Sequence, residues 1–188
     1  DQRANKLHKF TNDGKKLVMT LGDEDVPART PKVRYQDVGF WSNGDIFVIG
    51  DTRIARFSKD GKYLSGWGKA GNAPGEYHGV HGIATDPKNG RIYLADKDNS
   101  RIQVVDETGK VLDIWPNLVY PMSIRLTQDG RHIVVGDGYV QKFLKYDLNG
   151  KLVASWGTFG SMPGAFWGLH SFEVDSEGNL YVAEDYGS

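Results

Sequence analysis

With 188 residues, the chain is long enough for one domain with a sizeable core. Its 23 Lys and Arg stand against 24 Asp and Glu for a formal net charge of −1, so no basic excess points to a nucleic-acid partner. The lack of cysteine excludes disulfides, thiolate ligands and a Cys nucleophile, and no apolar run approaches the roughly 20 residues that span a bilayer.

In chain order, residues 6–20 read as two strands joined at Gly14-Lys15. NGDIFVIGD from Asn43 and RIARF at 53–57 then predict a hairpin, and a further strand follows Gly61-Lys62. The same series returns as HGIATD at 81–86, NGRIYLADK from Asn89, RIQVVD, and a strand after Gly109-Lys110. It returns again through DGRHIVVGD from Asp129, KFLKYD, and Gly150-Lys151. EGNLYVAED from Glu177 opens a last, incomplete copy. Apolar and polar residues alternate in these segments and none has helical periodicity. A four-stranded unit recurring every 40–48 residues or so predicts an all-β chain of antiparallel β-propeller blades.

The expected organisation is a single propeller: a half blade at 1–30, blades at 31–72, 73–117 and 118–160, and a half blade at 161–188. The first half supplies strands C and D of a unit, and the last supplies A and B. Three closures follow: a small four-blade ring, a piece of a larger propeller, or blade completion with a second copy as a homo-oligomer. Alternate blades also share more than neighbours do. An offset of about 89 residues, or two blades, relates Trp67 to Trp156, Pro74 to Pro163, Tyr77 to Phe166, Gly79 to Gly168 and His81 to His170. The recurrence marks Trp67 and Trp156 as structural and predicts that both are buried between blades.

In a propeller, strand A lines the channel, and its start shares a face with the B–C turn. His81 and His170 start A strands, while Asp51–Arg53, Asp96–Asp98, Asp137–Tyr139 and Glu184–Tyr186 occupy B–C turns. Two equivalent imidazoles around the axis suit a transition metal, although a catalytic zinc usually has three protein ligands. The competing reading makes them repeat residues bonded to a nearby loop. Tyr139 is either a functional phenol or a rim aromatic, and Trp167 either an apolar wall for a ligand or a cap on the blade core. The turn acids fit backbone capping better than acid–base work. His8, His78 and His132 fall on a C strand, a loop and a B strand, with no site attached.

RIYLADKDNSRIQVVDETGK, PGEYHGVHGIATD and PGAFWGLHSFEVD resemble NHL repeats, which form six-bladed propellers. VHGIATD, GDGY and LHSFEVD, in that order, resemble more narrowly peptidyl-α-hydroxyglycine α-amidating lyase. That resemblance implies zinc on His81 and His170, Tyr139 as the proton acceptor, Arg53 as the nearest candidate for a substrate-binding arginine, and Trp167 at the substrate. It also implies a channel calcium and a secreted or periplasmic setting. The family's third zinc histidine would fall two blades after His170, beyond Ser188, and its second arginine near Asp185. The expected function is a metal-dependent lyase acting on a small-molecule or peptide carbinolamide. The alternative is a non-catalytic scaffold for a protein partner, and an RNA-binding module, which needs a basic face, ranks last.

Overall fold

The computed structural model describes residues 4–27 and 34–185. A two-stranded sheet, β1 (Leu7–Phe10) and β2 (Leu17–Leu21), comes first. Blade I is β3 (Asp37–Phe40), β4 (Ile46–Gly50), β5 (Arg53–Phe57) and β6 (Tyr63–Trp67). Blade II is β7 (Val80–Asp86), β8 (Arg91–Asp96), β9 (Arg101–Val105) and β10 (Val111–Trp115). Blade III is β11 (Pro121–Leu126), β12 (His132–Asp137), β13 (Lys142–Asp147) and β14 (Leu152–Trp156). A second two-stranded sheet, β15 (Leu169–Val174) and β16 (Leu180–Glu184), ends the series. All pairings are antiparallel, and the helical content of the described residues is two three-residue 3-10 turns, Asp23–Asp25 and Lys97–Asn99. No helix among them is long and apolar enough to cross a membrane, which says nothing about strands.

The turns follow from local chemistry. In the β9–β10 connection, Asp106 Oδ1 accepts from the Thr108 and Lys110 backbone N–H groups at 2.8 and 3.0 Å. Asp147 does the same for Asn149 and Lys151 between β13 and β14. Each closes an Asx-type turn that positions the following Gly, whose φ is +89° at Gly109 and +80° at Gly150.

The core lies between blades. Phe47, Ile49 and Ile54 of blade I meet Val80, Ile83, Ile92 and Leu94 of blade II. Ile102, Val104 and Trp115 of blade II meet Ile124, Ile133 and Val135 of blade III. Val134 and Phe143 meet Leu169 and Phe172 of the last sheet. At each full interface a glycine of one blade fits against an aromatic of the preceding one. A Cβ at Gly109 would stand 2.4 Å from Trp67 Cγ, and one at Gly150 would stand 2.4 Å from Trp115 Nε1.

Trp67 and Trp156, expected to be equally buried, differ. Trp67 packs into the blade I–II core, at 5.9 Å edge-on to Phe47. Trp156 stacks on Phe143 at 5.5 Å but remains 38 % exposed. Among the described residues, no glycine turn lies over its indole as Gly109 lies over Trp67. Nor do the two half units share one blade within this chain. Among the described residues, β1–β2 and β15–β16 are separate two-stranded sheets. Leu7, Met19 and Leu21 of the first sheet pack instead on the flank of blade I. Hydrophobic burial against blade I sets that position. Residues 28–33, where the first blade boundary is expected, lie outside the described residues.

Candidate functional site

The starts of β7, β11 and β15 are each delivered by a loop clamped to the acid that ends the following strand, the second of the same sheet. Buried Asp96 accepts from His78 N at 2.8 Å, three residues before His81. Buried Asp137 accepts from Val119 N at 2.9 Å and Tyr120 N at 3.1 Å, just before β11. Glu184 accepts from Trp167 N, just before β15. These acids bind backbone, as the capping reading expects. Asp96 also receives Arg101 Nε at 2.8 Å and Gln103 Nε2 at 3.0 Å, so its charge is neutralised where it is buried. Tyr186, at the end of the last such turn, lies outside the described residues.

The three clamped loops bring side chains from blades II, III and the last sheet to one mouth of the channel. The His81 and His170 rings lie 5.0 Å apart between centroids, at 89° to one another. His81 Nδ1 is 2.9 Å from the Met122 carbonyl. A carbonyl only accepts, so Nδ1 carries hydrogen, and in the neutral ring the Nε2 lone pair is free to act as a ligand. Burial pushes the His81 imidazole below its ordinary value; the Met122 carbonyl opposes this, and the charges of His170 and Lys97 reinforce it. His170 Nε2 lies 3.7 Å from Asp185 Oδ2. A cleft of about 230 Å³ opens beside this pair, lined by Tyr120, Met122, Gly138, His170 and Asp185 among others.

The remaining candidates stand around it. Tyr139, next to Gly138 on the cleft wall, is 76 % exposed on the rim. Trp167 is 48 % exposed and leans on Phe159 at 5.4 Å. Arg53 begins β5 and donates from Nη1 to the Gly68 carbonyl at 2.8 Å, bonding within blade I. Lys97, which the repeat pattern did not single out, is brought in by the 3-10 turn Lys97–Asn99. Its Nζ donates to Tyr120 Oη at 2.9 Å and pairs with Asp98 at 3.4 Å. The sequence signal was the lysine in NGRIYLADK, at the B–C turn beside a clamped loop.

Deeper in the channel, Arg125 of β11 reaches Asp37 of β3 at 3.1 Å and Glu173 of β15 at 3.0 Å. Asp37 Oδ2 also accepts from Ile83 N of β7 at 3.3 Å. Two ion pairs and one backbone hydrogen bond therefore link β3, β7, β11 and β15.

Four-stranded antiparallel blades packed in series, two of them entered through acid-clamped loops, are those of a β-propeller. Comparison with known proteins agrees. A family model described as a 6-bladed beta-propeller (DUF5128) matches residues 36–112. Human NHL repeat-containing protein 3 is 36 % identical over 101 residues, covering 49 % of this chain and 29 % of that protein. A probable peptidyl-alpha-hydroxyglycine alpha-amidating lyase of Caenorhabditis elegans is 28 % identical over 110 residues, 55 % of this chain and 31 % of that one. The chain thus spans under a third of these relatives' lengths. Among solved structures, a Bacteroides caccae protein of unknown function superposes with a TM-score of 0.70 at 16 % identity, over 95 % of this chain and 64 % of its own.

Proposed function

We propose that the channel mouth is the metal and substrate site of a lyase-like propeller, acting on a carbinolamide of the peptidyl-α-hydroxyglycine type. The observation that carries this reading is the His81–His170 pair. Two imidazoles from blades two units apart face each other at 5.0 Å, one with its Nδ1 anchored to a carbonyl. An anchored Nδ1 is the arrangement that metal-ligating histidines adopt. The donor set fits zinc as two of its ligands, although no group of three or more His, Cys, Asp or Glu suited to a metal occurs among the described residues. The similarity to the nematode lyase, over 110 residues, supports the same reading.

Zinc held there would polarise the substrate hydroxyl. The protein's own part is to receive the hydroxyl proton and hold the substrate. Tyr139 Oη, on the rim beside the cleft, would take the hydroxyl proton as the carbonyl forms and the C–N bond breaks. The bonding pair stays on nitrogen, which gains a proton, so the products are an amide and an α-oxo acid. Trp167, leaning on Phe159, would supply an apolar wall.

Elemental analysis of protein purified without chelator or affinity metal tests this reading. Near-stoichiometric zinc, lost in both His81→Ala and His170→Ala, is expected. Less than about a tenth of an equivalent, with no uptake of added zinc, would refute it. The second reading, a scaffold for a protein partner, draws on the missing third ligand and on the similarity to NHL repeat-containing protein 3.

A further inference from the structure

We propose that the Arg125 guanidinium is the channel's own cation: it stands in for calcium between the inner strands, and the channel at this depth takes no divalent ion. The lyase resemblance implies a channel calcium, and the residues at this level do not fit one. The proposal is independent of what the mouth takes as substrate.

Val80, Pro121 and Leu169 pair with the clamping acids Asp96, Asp137 and Glu184. Four residues beyond them stand Ala84, Arg125 and Glu173. These three share one level, so a small side chain, a cation and an anion follow one another in successive inner strands. Arg125 spans the level. Its Nε donates to Glu173 Oε2 at 3.0 Å, and its Nη1 donates to Asp37 Oδ2 at 3.1 Å and to the Ile124 carbonyl at 2.9 Å. Asp37, Arg125 and Glu173 line a channel cleft of about 430 Å³ together with Phe40, Ile83 and Thr85 among others.

Calcium takes roughly six to eight oxygen ligands, carboxylates and carbonyls foremost. No oxygen of the two carboxylates here lacks a hydrogen-bond donor. Asp37 Oδ2 accepts from Arg125 and from Ile83 N, and Oδ1 accepts from Val38 N at 2.9 Å. Glu173 Oε2 accepts from Arg125, and Oε1 accepts from Val174 N at 3.1 Å. The Ile124 carbonyl is taken by Arg125, and the Phe40 carbonyl by Thr85 Oγ1 at 2.8 Å. A divalent ion would have to displace these donors while standing against a fixed positive charge. Burial works against the charge on Arg125, but Asp37 and Glu173 outweigh burial and hold its pKa above the ordinary value. The guanidinium therefore keeps its charge at any working pH. Because it is covalently part of β11, its occupancy does not depend on an ion in solution.

The test is a calorimetric titration of calcium into the full chain, freed of metal on a chelating resin. Urea midpoints are read alongside in about 5 mM calcium or magnesium, above the range of weak calcium sites. Wild type and Arg125→Lys should take up no calcium and keep one midpoint in both salts. Arg125→Gln removes the charge and frees Asp37 and Glu173. It should bind a single calcium with a Kd of about 0.1–1 mM, the weak end of natural sites, and its midpoint should rise in calcium alone. Adding Asp37→Asn should abolish that gain. A wild-type midpoint raised by calcium over magnesium would overturn the proposal. So would an Arg125→Gln protein that gains no calcium, or one that keeps its gain without Asp37. If Arg125→Gln does not fold, wild type and Arg125→Lys decide: a calcium-specific rise in either overturns the proposal, and none in both upholds it.

Discussion

Replacing Gly109 by Ala should cost far more than replacing Gly90 by Ala, and the difference measures the contact between blades I and II. Both glycines have positive φ, +89° and +67°. An alanine held in that region costs about 1–2 kcal/mol through backbone strain alone. At Gly90 nothing lies within 4 Å of the added carbon, so strain is the whole effect. At Gly109 the new methyl would stand 2.4 Å from Trp67 Cγ and 2.6 Å from Cδ1 and Cδ2. Real contacts between carbons are about 3.5–4.0 Å, so the indole must move by more than an ångström. It cannot do so freely, because Trp67 is packed edge-on to Phe47 and Phe47 edge-on to Trp41. Overpacking of this kind costs about 1–3 kcal/mol more, for a total of about 2–5 kcal/mol at Gly109. Urea unfolding followed by tryptophan fluorescence and by circular dichroism gives both values. A Gly109→Ala loss within about 0.5 kcal/mol of the Gly90→Ala loss, inside the usual scatter of surface substitutions, would refute the interlock.

Trp67→Ala should lose about 3–5 kcal/mol and Trp156→Ala clearly less, because Trp156 is 38 % exposed; equal losses in urea melts would contradict this. Arg125→Met should cost about 1–3 kcal/mol, below the 3–5 of a fully buried pair, since Glu173 is 68 % exposed; an unchanged unfolding midpoint would mean the network contributes nothing. Asp137→Ala should cost about 1.5–3 kcal/mol, because the backbone N–H groups of Val119 and Tyr120 lose a charged acceptor; hydrogen exchange at those amides would remain slow if the clamp were unimportant. For pH the sign follows from His81, whose pKa is lowered on folding by burial. Below about pH 6.5 the unfolded chain then binds more protons, so stability is complete above that pH and declines as pH falls. Urea midpoints of His81→Gln should fall less steeply with acid than those of wild type, and parallel slopes would count against it.

The sequence by itself determined the blades. Gly-Lys turns, Asn/Asp-Gly hairpins and apolar–polar alternation are local signals, and the strands that pattern marked are formed, from His8 on β1 to His132 on β12. It also put His81 and His170 on one face, because the direction of successive antiparallel strands is fixed by topology, and their rings lie 5.0 Å apart. Tertiary structure decided what each of those residues touches. Repeat position could not separate Trp67 from Trp156, since burial depends on the turn of the next blade and not on the residue's own strand. It could not show that the Arg53 guanidinium bonds within its own blade, or that Lys97 arrives beside Tyr120 across two loops. Nor could it choose among the closures it allowed, whereas in the structure β1–β2 packs on blade I apart from β15–β16 among the described residues. A period of two along a strand encodes which face a side chain takes. The partners on that face come from other blades, tens of residues away, and only packing in three dimensions selects them.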